Sequence, residues 1–163
     1  MTRLARSLLL GVATLALFSC ETRTDRTDTG GVLLSVSDFD GLPIAFSVSS
    51  GNFVQVESLT VRSVVLNPAA ADSDLMDVEL TSYQVTYRRL DTGTRVPRPL
   101  VEGIFGNVPR GSTDTINNLV VMGPEQLRNV PLSDLLPING GFGKETGSRF
   151  IKLVLALTFF GRT

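Results

Sequence analysis

Histidine and tryptophan are absent from this 163-residue sequence, cysteine occurs once, at Cys20, and two tyrosines stand beside nine phenylalanines. Each shortage removes a class of chemistry. Without imidazole there is no histidine general base and no histidine metal ligand. With one thiol there is no internal disulfide, no Cys-His nucleophile pair and no thiolate metal cluster. Charge is modest as well, with 15 basic against 16 acidic side chains and a formal net charge of −1. The basic residues are scattered apart from Arg88-Arg89, so nothing forms a stripe that would follow a phosphate backbone, and no nucleic-acid partner is implied. Arg88-Arg89 itself reads as the solvent-facing end of a strand. Catalysis would have to come from Asp, Glu, Ser and Lys144, and no paired constellation of these is visible, so the expectation is a protein that is not an enzyme, with no cofactor.

The amino terminus is the most specific stretch. Arg3 and Arg6 form a positive start, Leu8 to Phe18 an apolar run too short to cross a bilayer, and Ser19 a small residue before a cleavage point. Leu17-Phe18-Ser19-Cys20 resembles the lipobox of bacterial lipoproteins, whose cysteine thiol receives a diacylglycerol before cleavage leaves it as the acylated first residue. The resemblance implies a cleaved signal peptide over 1–19, lipidation of Cys20, and a place in the bacterial cell envelope, at the outer membrane and facing periplasm or surface. One acyl chain holds a protein only marginally, whereas two or three make a durable anchor, so the membrane is an expected partner. Arg3 and Arg6 leave with the leader, so thirteen basic side chains then face sixteen acidic ones. Glu21 to Gly30 has no apolar residue to bury and reads as a polar tether reaching at most about 35 Å.

Residues 31–163 suffice for one domain with a sizeable core. Short β-branched and aromatic runs separated by Gly, Pro, Asn and Asp give an all-β expectation. Strands are expected at Val32–Ser37, ended by Asp40-Gly41, and at Leu42–Ser49, with Pro43 near its start. Phe53–Asn67 changes phase, with Val54 and Val56 on one face and Leu59, Val61 and Val65 on the other, which predicts a bulge or break near Glu57-Ser58. In Val78–Leu90, Tyr83, Val85 and Tyr87 share one face while Ser82, Gln84, Thr86 and Arg88 share the other. Pro97 and Pro99 suit an edge position for Leu100–Phe105, and Ser112–Met122 follows as a strand with a polar first half.

Pro124 at a first helical position predicts one or two short helical turns near 124–136. Arg149–Phe160 is apolar on both faces from Leu153 onward, which reads as a strand in the middle of a packed sheet.

In LTSYQVTYRRLDTG, the spacing of Leu80, Tyr83, Val85 and Tyr87 before an Asp/Gly turn resembles the third strand of fibronectin type III and related immunoglobulin-like domains. The resemblance implies an antiparallel β-sandwich of about seven strands. In that topology the strand at 149–160 pairs with a final strand, and the expectation is a sandwich lacking it. Three readings fill the gap: an amino-terminal strand, Val32–Ser37 or Leu42–Ser49, takes the place; the reading frame is truncated; or a protein partner adds a strand to the exposed edge of 149–160.

Asp72, Asp74, Asp77 and Glu79 gather carboxylates in one region, which suits a Ca²⁺ ion or, more plainly, a solvated acidic loop. Gly140-Gly141-Phe142-Gly143-Lys144 lacks phosphate-loop spacing. The leading expectation is a lipid-anchored sandwich that acts in protein–protein interaction, adhesion or envelope assembly. Its rival is a module that binds Ca²⁺ or glycan through loops 67–77 and 138–146, which the fibronectin order would set at one end.

Overall fold

A computed structural model describes residues 31–66 and 77–163. Six strands run in chain order: β1 Val32–Asp40, β2 Val54–Val65, β3 Val78–Arg89, β4 Leu100–Val108, β5 Thr113–Met122 and β6 Leu153–Arg162. They form two antiparallel sheets of three, in the orders β1-β2-β5 and β4-β3-β6. The inward side chains of the two sheets make one apolar core, in which Val56, Leu59, Val61, Leu80, Tyr83, Val85, Val108 and Val121 are buried. The described strands thus number six where about seven were expected.

The period-two patterning accounts for the central strands. Val54 and Val56 are buried, Glu57 is exposed, and from Leu59 the buried positions become Leu59, Val61 and Ser63, so β2 changes face at Glu57-Ser58 as its sequence predicts. The partner strand turns at the same level: Ile116 and Leu119 both face the core, and between them Asn118 takes a φ of 55°. Asparagine tolerates that left-handed conformation better than a β-branched residue would. In β3 Tyr83, Val85 and Tyr87 point into the core and Thr81 is the residue that slips the register against β6.

Three expectations are corrected. Leu42–Ser49 is not a strand: the Ser47 carbonyl accepts from both the Ser50 amide at 3.0 Å and the Ser50 hydroxyl at 2.8 Å, which winds Val48–Ser50 into a 3₁₀ turn and withdraws it from any ladder. The last strand lies at Leu153–Arg162 and pairs with β3 alone among the described residues, so it is an edge and not the middle of a sheet. Nor does an amino-terminal strand fill that edge, because β1 pairs with β2.

The helical turns fall where Pro124 announces them. Helix α1, Pro124–Arg128, is followed by 3₁₀ turns at Leu132–Leu135 and Pro137–Asn139. Gln126 receives the Gly123 amide at 3.1 Å to close the start of α1, and Leu127 and Leu132 plug the adjacent end of the core.

Candidate functional site

The sandwich has two ends, and they separate the residues singled out from sequence. At one end β3 begins: the Asp77 carboxylate accepts the Arg110 amide at 2.9 Å, and Glu79 pairs with Arg162 at 2.8 Å. At the other end β3 finishes, and there Glu145 meets Arg89 at 2.8 Å. Ten residue steps along the strand separate Glu79 from Arg89, roughly 33 Å at the usual rise. The 138–146 loop and the Asp77 end of the acidic segment therefore stand apart and do not form one rim. Asp72 and Asp74 lie outside the described residues, as do Cys20, the 1–19 leader and the 21–30 tether. Asp77 and Glu79 already have protein partners, and among the described residues no group of three acidic, His or Cys side chains is arranged to hold a metal ion.

Arg89 differs from the exposed arginine its sequence suggests. It continues the inward set Tyr83, Val85, Tyr87 and is 8 % exposed, whereas Arg88 is fully on the outer face. Burial is tolerated because all three guanidinium nitrogens donate: Nε and Nη2 to the two Asp91 oxygens, the latter at 2.7 Å, and Nη1 to Glu145 and the Arg95 carbonyl. Glu145 also accepts the Thr94 hydroxyl at 2.7 Å and the Arg95 amide at 3.1 Å. These contacts hold Asp91 and Glu145 below the usual carboxylate range, Asp91 chiefly through Arg89 and Glu145 chiefly through Thr94. Buried Asp134 lies beside this cluster, with Lys144 at 3.3 Å and Arg95 at 3.6 Å. Cations and carboxylates neutralise one another here, and the result is a clasp joining the β3–β4 turn to the loop before β6. The signal that could have shown it is the period of two from Tyr83 to Arg89.

Among the described residues, the core is least covered along the flank bordered by β6 and β1. Along β6 the inward residues Leu153, Leu155, Leu157 and Phe159 are only half-buried, although they face the same way as buried Tyr83, Val85 and Tyr87. Across from them, the inward residues of β1 include Val36, 47 % exposed, and Phe39, 55 % exposed, opposite buried Val61 and Leu59. Val32, Leu34, Val78, Gly161, Arg162 and Thr163 line an open cleft of about 330 Å³ where the two strands approach. The opposite flank is closer-set, with β4 against β5. Beyond β6, a ten-residue row of main-chain groups has no strand beside it among the described residues.

Family models, curated proteins and solved structures contain no match to this chain.

Proposed function

We propose that this chain is a lipid-tethered, non-catalytic β-sandwich of the bacterial cell envelope that takes up an extended protein segment along the free edge of β6. The observation that carries this reading is the uncharged edge from Leu153 to Gly161, whose inward side chains are half-buried and which has no strand beside it among the described residues. A strand added there would pair its main chain with β6 and place alternate side chains over Leu155, Leu157, Val36 and Phe39. The third-strand resemblance supports the finer reading of the fold as fibronectin type III-like, since β3 lies between β4 and β6 and the free edge is where that topology seats a further strand. The address rests on the Leu17 to Cys20 lipobox resemblance.

Two experiments test the two halves. Cys20→Ser should release the protein from the membrane fraction, and retention of the variant would defeat the anchoring half. A photo-crosslinking benzophenone residue at Thr158, on β6, should form protein adducts in intact cells, and the same residue at Glu102, exposed on β4, should not. Equal yields at the two positions, or none at either, would defeat the docking half.

A further inference from the structure

Among the described residues four strands stand at sheet edges, and three of them carry features that repel a neighbour. On β1 these are exposed Asp38 and Asp40 with a register slip at Ser37. On β5 they are Asp114, Asn117 and the left-handed Asn118. Strand β4 follows Pro97 and Pro99, exposes Glu102, and carries its own irregularity against β3 between Gly103 and Gly106. Charges, prolines and bulges of this kind are how edges avoid pairing. Strand β6 differs: its one charge, Arg162, stands at its last residue and is paired with Glu79, while from Leu153 to Gly161 it holds no charge and no proline, and the register slip beside it lies in β3, at Thr81.

The geometry points to a second copy of this chain as the occupant, joined β6 to β6 in antiparallel fashion about a two-fold axis, an inference that rests on the docking reading above. A copy supplies what the edge requires, an extended segment of equal length with no charge between Leu153 and Gly161 and the same alternation. Such a contact is isologous, so both unsatisfied flanks are covered at once and the assembly closes as a dimer.

Charge and face then choose the register. Inward residues must pair with inward residues for the two sheets to run on as one, so the axis passes through a residue rather than between two. An axis at Leu157 sets Lys152 opposite Arg162 of the copy, like against like. At Ala156 the last three residues of the strand would meet residues 150–152, which precede it. At Thr158 the threonines face each other, Ala156 meets Phe160, Leu157 meets Phe159, and no cation lies opposite another. Small against large on the outer face, and two hydroxyls at the axis, make this the most compatible register. The β1 strands then flank the axis, bringing Val36 and Phe39 beside the incoming strand. Lipid tethers on both copies would confine them to one surface and raise their effective concentration.

The test uses the full-length lipidated chain in detergent. Light scattering should give a dimer mass that falls to a monomer on dilution, and Ala156→Lys should give a monomer at every concentration that melts as the dilute, monomeric parent does. Thr158→Cys should form a disulfide-linked dimer about tenfold or more faster than Glu102→Cys, because the axis holds the two thiols at high effective concentration. The parent chain serves as the control for Cys20. A monomer mass throughout, or equal oxidation rates for the two cysteine variants, would overturn the dimer. If the Thr158 photo-crosslinker meanwhile yields adducts with a different protein, self-pairing alone falls and the docking reading stands; no adduct of any kind removes both.

Discussion

Tyr87 donates its hydroxyl across the sandwich to the carbonyl of Val121 at 2.7 Å. Four residues earlier on the same face of β3, Tyr83 does the same to Val120 at 2.8 Å. Both carbonyls belong to the part of β5 where the pairing with β2 slips, between Gln55–Val120 and Val54–Met122. Each ring therefore fills the core while its polar tip ties one sheet to an irregular point of the other. Burial pushes both phenols above their ordinary pKa, so they stay neutral donors through the physiological range.

Removing the Tyr87 hydroxyl alone should therefore be measurable. Tyr87→Phe leaves a buried carbonyl without its donor and should cost about 1 to 3 kcal/mol. Tyr83→Ala and Tyr87→Ala also remove the ring and should cost about 3 to 5 kcal/mol each. Calorimetric melting of the three variants checks both figures. Unchanged melting would mean that the rings serve a site and not the core.

Arg88 and Arg89 are adjacent, and their replacement should separate sharply. Arg88→Met changes an exposed side chain and should stay within about 0.5 kcal/mol of the parent. Arg89→Met strips Asp91 and Glu145 of their shared cation and should destabilise by more than about 1 kcal/mol. The same variant should speed amide exchange at Thr94 and Arg95, whose amides bond to Glu145. Equal melting of the two variants would show that the clasp holds nothing.

Much of this architecture was legible in the sequence, because alternation reports which side of a strand is buried. Tyr83, Val85 and Tyr87 could be placed together, and the change of face at Glu57-Ser58 was visible as a change of phase. The same rule carried through to Arg89, but its charge argued for solvent, and it is buried because nearby Asp91 and distant Glu145 together hold its guanidinium. Ile44, Phe46 and Val48 alternate as a strand would, yet alternation says nothing about a partner, and a local bond at Ser47 decided the outcome. Strand β6 shows the converse. Apolar residues on both of its faces reveal surface to be covered, while the identity of the neighbour is a property of topology and partners.

Acid should weaken the clasp. The bond from Arg89 holds the Asp91 carboxyl, and the bond from the Thr94 hydroxyl the Glu145 carboxyl, below the ordinary carboxylate range in the folded protein. For a depressed carboxylate, the stabilisation is fully present above the unfolded pKa and disappears as pH falls through the folded one. Stability should thus be flat above about pH 5.5 with respect to these groups, and should decline from about pH 4.5 downward. Glu145→Gln should flatten part of that decline when melting is followed against pH. An acid limb identical to the parent's would remove Glu145 from the account.

Two glycines of the same sheet should respond in opposite ways to a side chain. A Cβ on Gly161 would lie 2.6 Å from the Glu79 carbonyl oxygen, which is backbone and cannot swing aside. Gly161→Ala must therefore push the end of β6 away from Leu80 and strain the Arg162–Glu79 pair, at a cost of about 1 to 3 kcal/mol. At Gly103, on β4, the nearest neighbour of a new Cβ is the Thr81 carbonyl oxygen at 4.0 Å, an ordinary separation. Gly103→Ala should be neutral or should stabilise by up to about 1 kcal/mol, since alanine loses less freedom than glycine when a strand forms. Because Gly161 closes the register of the strand on which docking depends, Gly161→Ala should also reduce crosslinking from Thr158, whereas Gly103→Ala should leave it intact. If Gly161→Ala melts with the parent and crosslinks as well, the pairing of Leu80 with Gly161 is not the register that presents the edge.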